Sequence, residues 1–141
     1  MSAADLYHER ILALARSARG TGALAEPRIR VQLDNPLCGD RITLDVRLEE
    51  GRITALAHHT RGCLLSEAAA AALADLACGL TYDQAARLRQ ALAAMLAGES
   101  GSDLPAELQV FAPVAAVKSR HECILLPFDA LLNALRTAQG A

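Results

Sequence analysis

Apolar positions Leu6, Ile11, Leu14 and Ala18 recur at helical spacing near the start of the chain, with Arg10, Arg16 and Arg19 between and beyond them and Gly20 and Gly22 as stop signals. The spacing predicts an amphipathic opening helix over residues 3 to 18. From Ile29 the period changes to two. Ile29, Val31 and Leu33 alternate with Arg30 and Gln32 until Asn35-Pro36 breaks the run, and Ile42, Leu44, Val46 and Leu48 alternate with Thr43, Asp45 and Arg47. Glu49-Glu50-Gly51-Arg52 reads as a hairpin turn into a third strand from Ile53 to Thr60. These runs predict a three-stranded antiparallel sheet with one apolar face.

After Gly62 the pattern returns to helix. Ser66-Glu67 is expected to open an Ala-rich helix that stops near Gly79, and Thr81 with Gln84 has capping-box spacing ahead of a helix running to Gly98. Glu99 to Asp103 reads as a solvated loop, and Leu104 to Val117, with two prolines, as irregular or a short broken helix. A last helix is expected from Pro127, a residue well suited to the first helical position, to about Thr137. This order predicts an α+β fold: a three-stranded antiparallel sheet with helices packed on one face, in one domain over 1–141 with no internal repeat.

Composition narrows the function classes. The 141 residues carry a formal charge of −2, and the 52% hydrophobic content rests on 30 alanines and 24 leucines, good helix formers. The longest apolar run, Ala68 to Ala74, is far short of the ~18 residues of a membrane span. One lysine and four aromatics argue against a nucleic-acid surface, and the acidic start, Asp5 and Glu9, lacks the layout of a secretory signal. A reducing cytoplasmic compartment is expected, with neither nucleic acid nor membrane as partner. There, four cysteines point to ligands or reactive thiols more than to disulfides.

Cys38, Cys63 and Cys123 all fall at predicted element junctions, where thiols can converge without being swallowed by a core. Cys78 follows Cys63 by 15 residues, most of them helical, which is roughly 20 Å, too far to share an ion. It reads as a small buried hydrophobe. Three thiolates leave tetrahedral zinc one ligand short, and Asp40 in the turn of Cys38 is the nearest oxygen donor. Spacing alone leaves this set level with three unconnected buried cysteines. An anionic site would recruit positive neighbours, for which Arg41, Arg61 and Arg120 are the candidates. His121 is a candidate ligand or proton carrier, His8 is expected on the exposed side of the first helix, and His58-His59 reads as a surface pair.

Three motifs together, Asn-Pro-x-Cys-Gly-Asp-Arg-Ile at 35 to 42, Arg-Gly-Cys-x-x-Ser at 61 to 66 and Arg-x-x-Cys at 120 to 123, resemble the SufU/IscU/NifU N-terminal family of iron–sulfur cluster assembly proteins. The resemblance covers nearly the whole chain and implies a SufE/NifU-like fold. The separation of 60 residues from Cys63 to Cys123 resembles the long, zinc-binding SufU branch. What this implies is zinc held by Cys38, Asp40, Cys63 and Cys123. It further implies a SufS-type cysteine desulfurase as sulfur donor, whose histidine displaces Cys38 from the zinc so that the thiol takes up persulfide, and an iron–sulfur scaffold downstream. IscU scaffolds have histidine immediately before the last cysteine; here that residue is Glu122, and His121 is one position further off. This favours sulfur relay over an IscU-like scaffold that assembles a [2Fe-2S] cluster on iron. A structural zinc interaction module is the third alternative.

Overall fold

A computed structural model describes residues 3–140, with side chains from 7 to 138, so the side chain of Leu6 lies outside the described residues. The chain runs α1 (Ala3–Ser17), β1 (Ile29–Asn35), β2 (Asp40–Glu49), β3 (Arg52–Arg61), α2 (Leu64–Leu76), α3 (Tyr82–Leu96), α4 (Ala106–Gln109) and α5 (His121–Gly140), with 3-10 turns at Ala112–Ala116 and Lys118–Arg120. The α+β expectation holds, since the strands form one antiparallel sheet in the order β1-β2-β3. Glu50 and Gly51, both at positive φ, form the tight β2–β3 turn, whose twist matches that of the flanking strands.

Alternation sets the two sheet faces. Ile42, Leu44 and Val46 are fully buried against the helices. The opposite face is partly covered by the segment between α1 and β1, because the Leu24 amide donates to Asp45 Oδ2 at 2.9 Å and Arg47 donates to the carbonyls of Ala25 and Pro27. Asp45, paired across the strands with Arg30, is only 2% exposed and takes two bonds from that guanidinium, at 2.6 and 2.9 Å. A carboxylate on the outer face thus fastens the crossing segment.

The alanines of α2 have a structural use. Ala68 to Leu73 are buried all round, in contact with α1, α5 and β3, and only small side chains let three elements approach one helix so closely. Thr81 and Gln84 form the expected capping box, with bonds of 3.0 and 3.2 Å, and α3 then packs on α5. Ile124, Phe128, Leu131 and Leu135, at spacings of three and four, give α5 its buried stripe.

Three local expectations are corrected. The last helix starts at His121, not Pro127, because the 3-10 turn at Lys118–Arg120 feeds straight into it and the run Cys123 to Leu126 is buried as its first turns. Pro127 is therefore internal, and lacks the N–H that would bond the Cys123 carbonyl. Cys78 is exposed, not core: α2 ends at Leu76, and the thiol sits in the turn that follows. His58 is 4% exposed and inward, while His59 points outward, so the two are not a surface pair. The His58 ring bonds the Arg19 carbonyl at 2.8 Å and Thr60 Oγ1 at 2.9 Å, which ties the end of α1 to β3, and burial holds its pKa below the ordinary imidazole value.

Candidate metal centre

Three chain junctions meet at one end of the sheet. The β1–β2 turn carries Cys38 and leads into Asp40, the first residue of β2. One residue, Asn35, shapes this turn: its side-chain Oδ1 accepts from the Leu37 amide at 3.2 Å, and its carbonyl accepts from the Cys38 and Gly39 amides at 3.3 and 2.8 Å. Cys63 is the residue just before α2, and Cys123 lies in the first turn of α5.

Ligand atoms of Cys38, Asp40 and Cys123 all lie within 4.8 Å of one another. Cys38 is exposed and Cys123 buried, with the Cys123 thiol donating to Cys38 Sγ at 3.1 Å. The fourth expected residue stands beside this group, with Cys63 Sγ 3.9 Å from Asp40 Oδ2. The expectation of three unconnected cysteines therefore fails for Cys38 and Cys123.

Asp40 is 2% exposed and its carboxylate is held on both oxygens: Oδ1 accepts the Cys63 amide at 2.9 Å, and Oδ2 accepts the Ser66 hydroxyl at 2.7 Å. Burial by itself raises this carboxyl's pKa. The bonds from Ser66, Cys63 and Cys123 and the charge of Arg120 outweigh it and hold the group below the usual carboxylate value. Gly62 makes the approach possible, because a Cβ there would overlap Asp40 Oδ1.

The thiols divide. Burial works against ionisation of Cys63, as does the charge of Asp40, but backbone and side-chain bonds at Ser66 prevail and lower its pKa. For Cys123, burial, the bonds with Cys38 and Asp40 and the nearby Cys63 all raise it. The Cys123 thiol thus favours its protonated form, directed at Cys38 Sγ, and binding of an ion would release that proton.

Among the positive candidates, Arg120 belongs here: it faces Cys63 first and Cys123 and Cys38 beyond. Arg41 is turned to Asp34 in a two-bond exposed pair, at 2.8 and 3.1 Å, and Arg61 lies exposed directly across the strands from Arg41. Both line, with Asp40, a polar cleft of about 500 Å³. His121 is turned away, its Nε2 bonded to the carbonyls of Val114 and Ala115 at 3.0 and 3.2 Å. Among the described residues, the large apolar side chains left exposed, Leu37 at 88% and Val117 at 47%, are one residue before Cys38 and three before Arg120.

The donor set fits a thiophilic ion. Ligands of a tetrahedral zinc, at about 2.3 Å for sulfur, stand less than 4 Å apart, and soft thiolates select zinc or iron over magnesium or calcium. Two buried donors with no partner, Asn35 Nδ2 and Arg120 Nε, belong to residues flanking the cluster, as an anionic site would favour. Sequence reading missed Ser66, Asn35 and Gly62. Ser66 had a signal, since the spacing Cys63-x-x-Ser66 sets it one helical turn on.

A family model described as the NifU-like N terminal domain matches residues 6–134. The chain belongs to this family. Among relatives of the NifU-like domain, the protein named iron-sulfur cluster assembly scaffold protein IscU in Streptococcus pyogenes is 32% identical over 116 residues, covering 79% of this chain and 71% of that one. The zinc-dependent sulfurtransferase SufU of Bacillus subtilis is 25% identical, covering 96% and 92%. In structure, the NifU-like protein (N-terminal) of Brucella abortus superposes with a TM-score of 0.86 at 31% identity over 96% of both chains. A scaffold from Fervidobacterium islandicum, with a TM-score of 0.84 at 23% identity, shares the fold.

Proposed function

We propose that this NifU-like domain serves iron–sulfur cluster assembly as a zinc-dependent sulfur acceptor, with Cys38, Asp40, Cys63 and Cys123 as the ligands and a SufS-type cysteine desulfurase as the donor. The observation that carries the reading is the pairing of one exposed thiol, Cys38, with a buried thiol and a buried carboxylate within 4.8 Å. A structural zinc site needs only four closed ligands, whereas an exposed thiol on a turn is also within reach of a partner's sulfur. A zinc ion here would keep the thiolates deprotonated yet quiet.

The chain's part in transfer then falls to Cys38. Its thiolate attacks the outer sulfur of the donor's persulfide; the donor's S–S bond breaks as the new one forms, and the donor cysteine leaves as thiolate, so no net oxidation occurs. Arg120 offers positive charge to the anionic sulfurs, and exposed Leu37 and Val117 offer apolar contact to the docking enzyme. The sulfur is then handed to a downstream iron–sulfur scaffold.

Desulfurase turnover with and without the protein tests this. Wild type is expected to stimulate turnover and to hold one zinc per chain, and Cys38→Ala to abolish stimulation; undiminished stimulation by that variant refutes the role. The alternative, a scaffold on which a [2Fe-2S] cluster is assembled, is favoured by the name of the Streptococcus relative. Anaerobic reconstitution that yields a stable chromophore, transferable to an apo-acceptor, would decide for it; zinc that iron fails to displace decides against it.

A further inference from the structure

Ser66 has no part in the ligand set, yet its environment ties it to that set. The residue is fully buried, so its hydroxyl has no water to turn to. It does not cap α2: the residue before the helix is Cys63, which makes no side-chain cap bond, and Ser66 lies three residues inside. Its proton goes to Asp40 Oδ2 at 2.7 Å, and its oxygen lies 3.6 Å from Cys63 Sγ. One hydroxyl thus touches two of the four proposed ligands, from β2 and from the α2 junction.

We infer that Ser66 is a positioning residue for the metal centre, fixing the Asp40 carboxylate so that the lone pairs left free by Ser66 and the Cys63 amide face the ion. A carboxylate has about four acceptor positions on its two oxygens, so one bond to each leaves room for a metal. Fixing it beforehand spares the ion the cost of ordering it. Removing a hydrogen-bond partner of a ligand typically costs 10–100-fold in metal affinity. Gly62 completes the device from the other side, because only a residue without Cβ lets the carboxylate lie there.

The inference rests on the metal reading, and the test separates the two. Zinc affinity is measured by chelator competition for wild type, Ser66→Ala, Asp40→Ala and the double variant, and the visible bands of the cobalt(II)-loaded proteins report the ligand field. Ser66→Ala, which only removes an oxygen, is expected to weaken zinc binding about tenfold and to shift the cobalt bands. In the Asp40→Ala background the same change is expected to cost clearly less, since only the contact with Cys63 Sγ remains.

Wild-type affinity in Ser66→Ala, or an equal loss with Asp40 already removed, overturns the inference while the metal reading stands. A wild-type chain that takes up no zinc overturns both. Gly62→Ala displaces the same carboxylate without touching Ser66, and decides the matter if Ser66→Ala does not fold: a tenfold loss supports the positioning role, and unchanged affinity overturns it.

Discussion

Asp45 sits on the outer face of the sheet, where solvated positions are expected, and is nonetheless 2% exposed. Its carboxylate takes two bonds from Arg30 and one from the Leu24 amide, and Arg28 Nε stands 3.4 Å away. Asp45→Asn keeps the shape, but it deletes the charge and turns an NH2 toward these donors. Breaking a wholly buried ion pair costs about 3–5 kcal/mol and an exposed one under about 1 kcal/mol. With Asp45 buried and its main partner 44% exposed, about 2–3 kcal/mol is expected. For a chain of 141 residues that is a fall in Tm of roughly 6 to 12 °C. The assay is a thermal melt by circular dichroism, with chelator present so that ion binding does not contribute. The arginine bonds are the largest influence on Asp45, ahead of burial, and place its folded pKa below the ordinary carboxylate value. Its stabilisation is therefore full above the unfolded pKa of about 4 and is lost as pH falls through the folded one. The gap between wild type and Asp45→Asn should be constant from pH 7 to 5.5 and shrink below about pH 4. Glu26→Gln, at an exposed carboxylate paired with Arg28, serves as control and should move Tm by less than about 2 °C. A variant melting within a degree or two of wild type at pH 7 would refute the fastening role.

Further outcomes follow from other groups. Arg120→Gln is expected to lower zinc affinity about tenfold, with partial recovery in Arg120→Lys, since its charge faces Cys63, Cys123 and Cys38; chelator competition reads both, and equal affinities would exclude Arg120 from the site. Cys78 is exposed and outside the cluster, so in the zinc-loaded protein a maleimide should modify it first, and Cys78→Ser should leave the zinc content at the wild-type value by elemental analysis. His58 is buried with a lowered pKa, so its contribution to stability is present above about pH 6.5 and is lost as pH falls through its folded pKa. Melts between pH 7 and 5 should show Tm declining, and His58→Gln should remove most of that slope.

What the sequence disclosed follows from which signals are local. The strands were legible because Ile42, Leu44 and Val46 face one core, and Thr81 with Gln84 was legible because a capping box is written in four consecutive residues. Cys38 and Asp40 share a turn, but their nearness to Cys123, 85 residues beyond Cys38, depends on how α5 lies against the sheet. No local pattern encodes that, and motif resemblance supplied it. Pro127 misled because its N1 preference ignores the 3-10 turn upstream that had already opened the helix. Cys78 misled because composition makes a cysteine among alanines look buried, whereas the helix ends two residues before it. His58 was hidden by its neighbour: strand alternation required one histidine to point inward, and only the path of the α1–β1 segment gives that ring a buried carbonyl, at Arg19, to bond.

The division of labour among the junctions explains how one site can be both firm and reactive. Asp40 and Cys123 are buried, on a strand and a helix braced by the core. Cys38 alone is carried on a turn, and that turn is held by three bonds to a single residue, Asn35, not by packing. Leu37, at its tip, is 88% exposed. An element with few buried contacts and a handful of hydrogen bonds is the one that opens at least cost. A docking surface that covers Leu37 would therefore act on the one proposed ligand free to move, while the other three proposed ligands would stay where Ser66, the Cys63 amide and α5 hold them. That asymmetry is what a transfer site requires and a purely structural zinc knot does not.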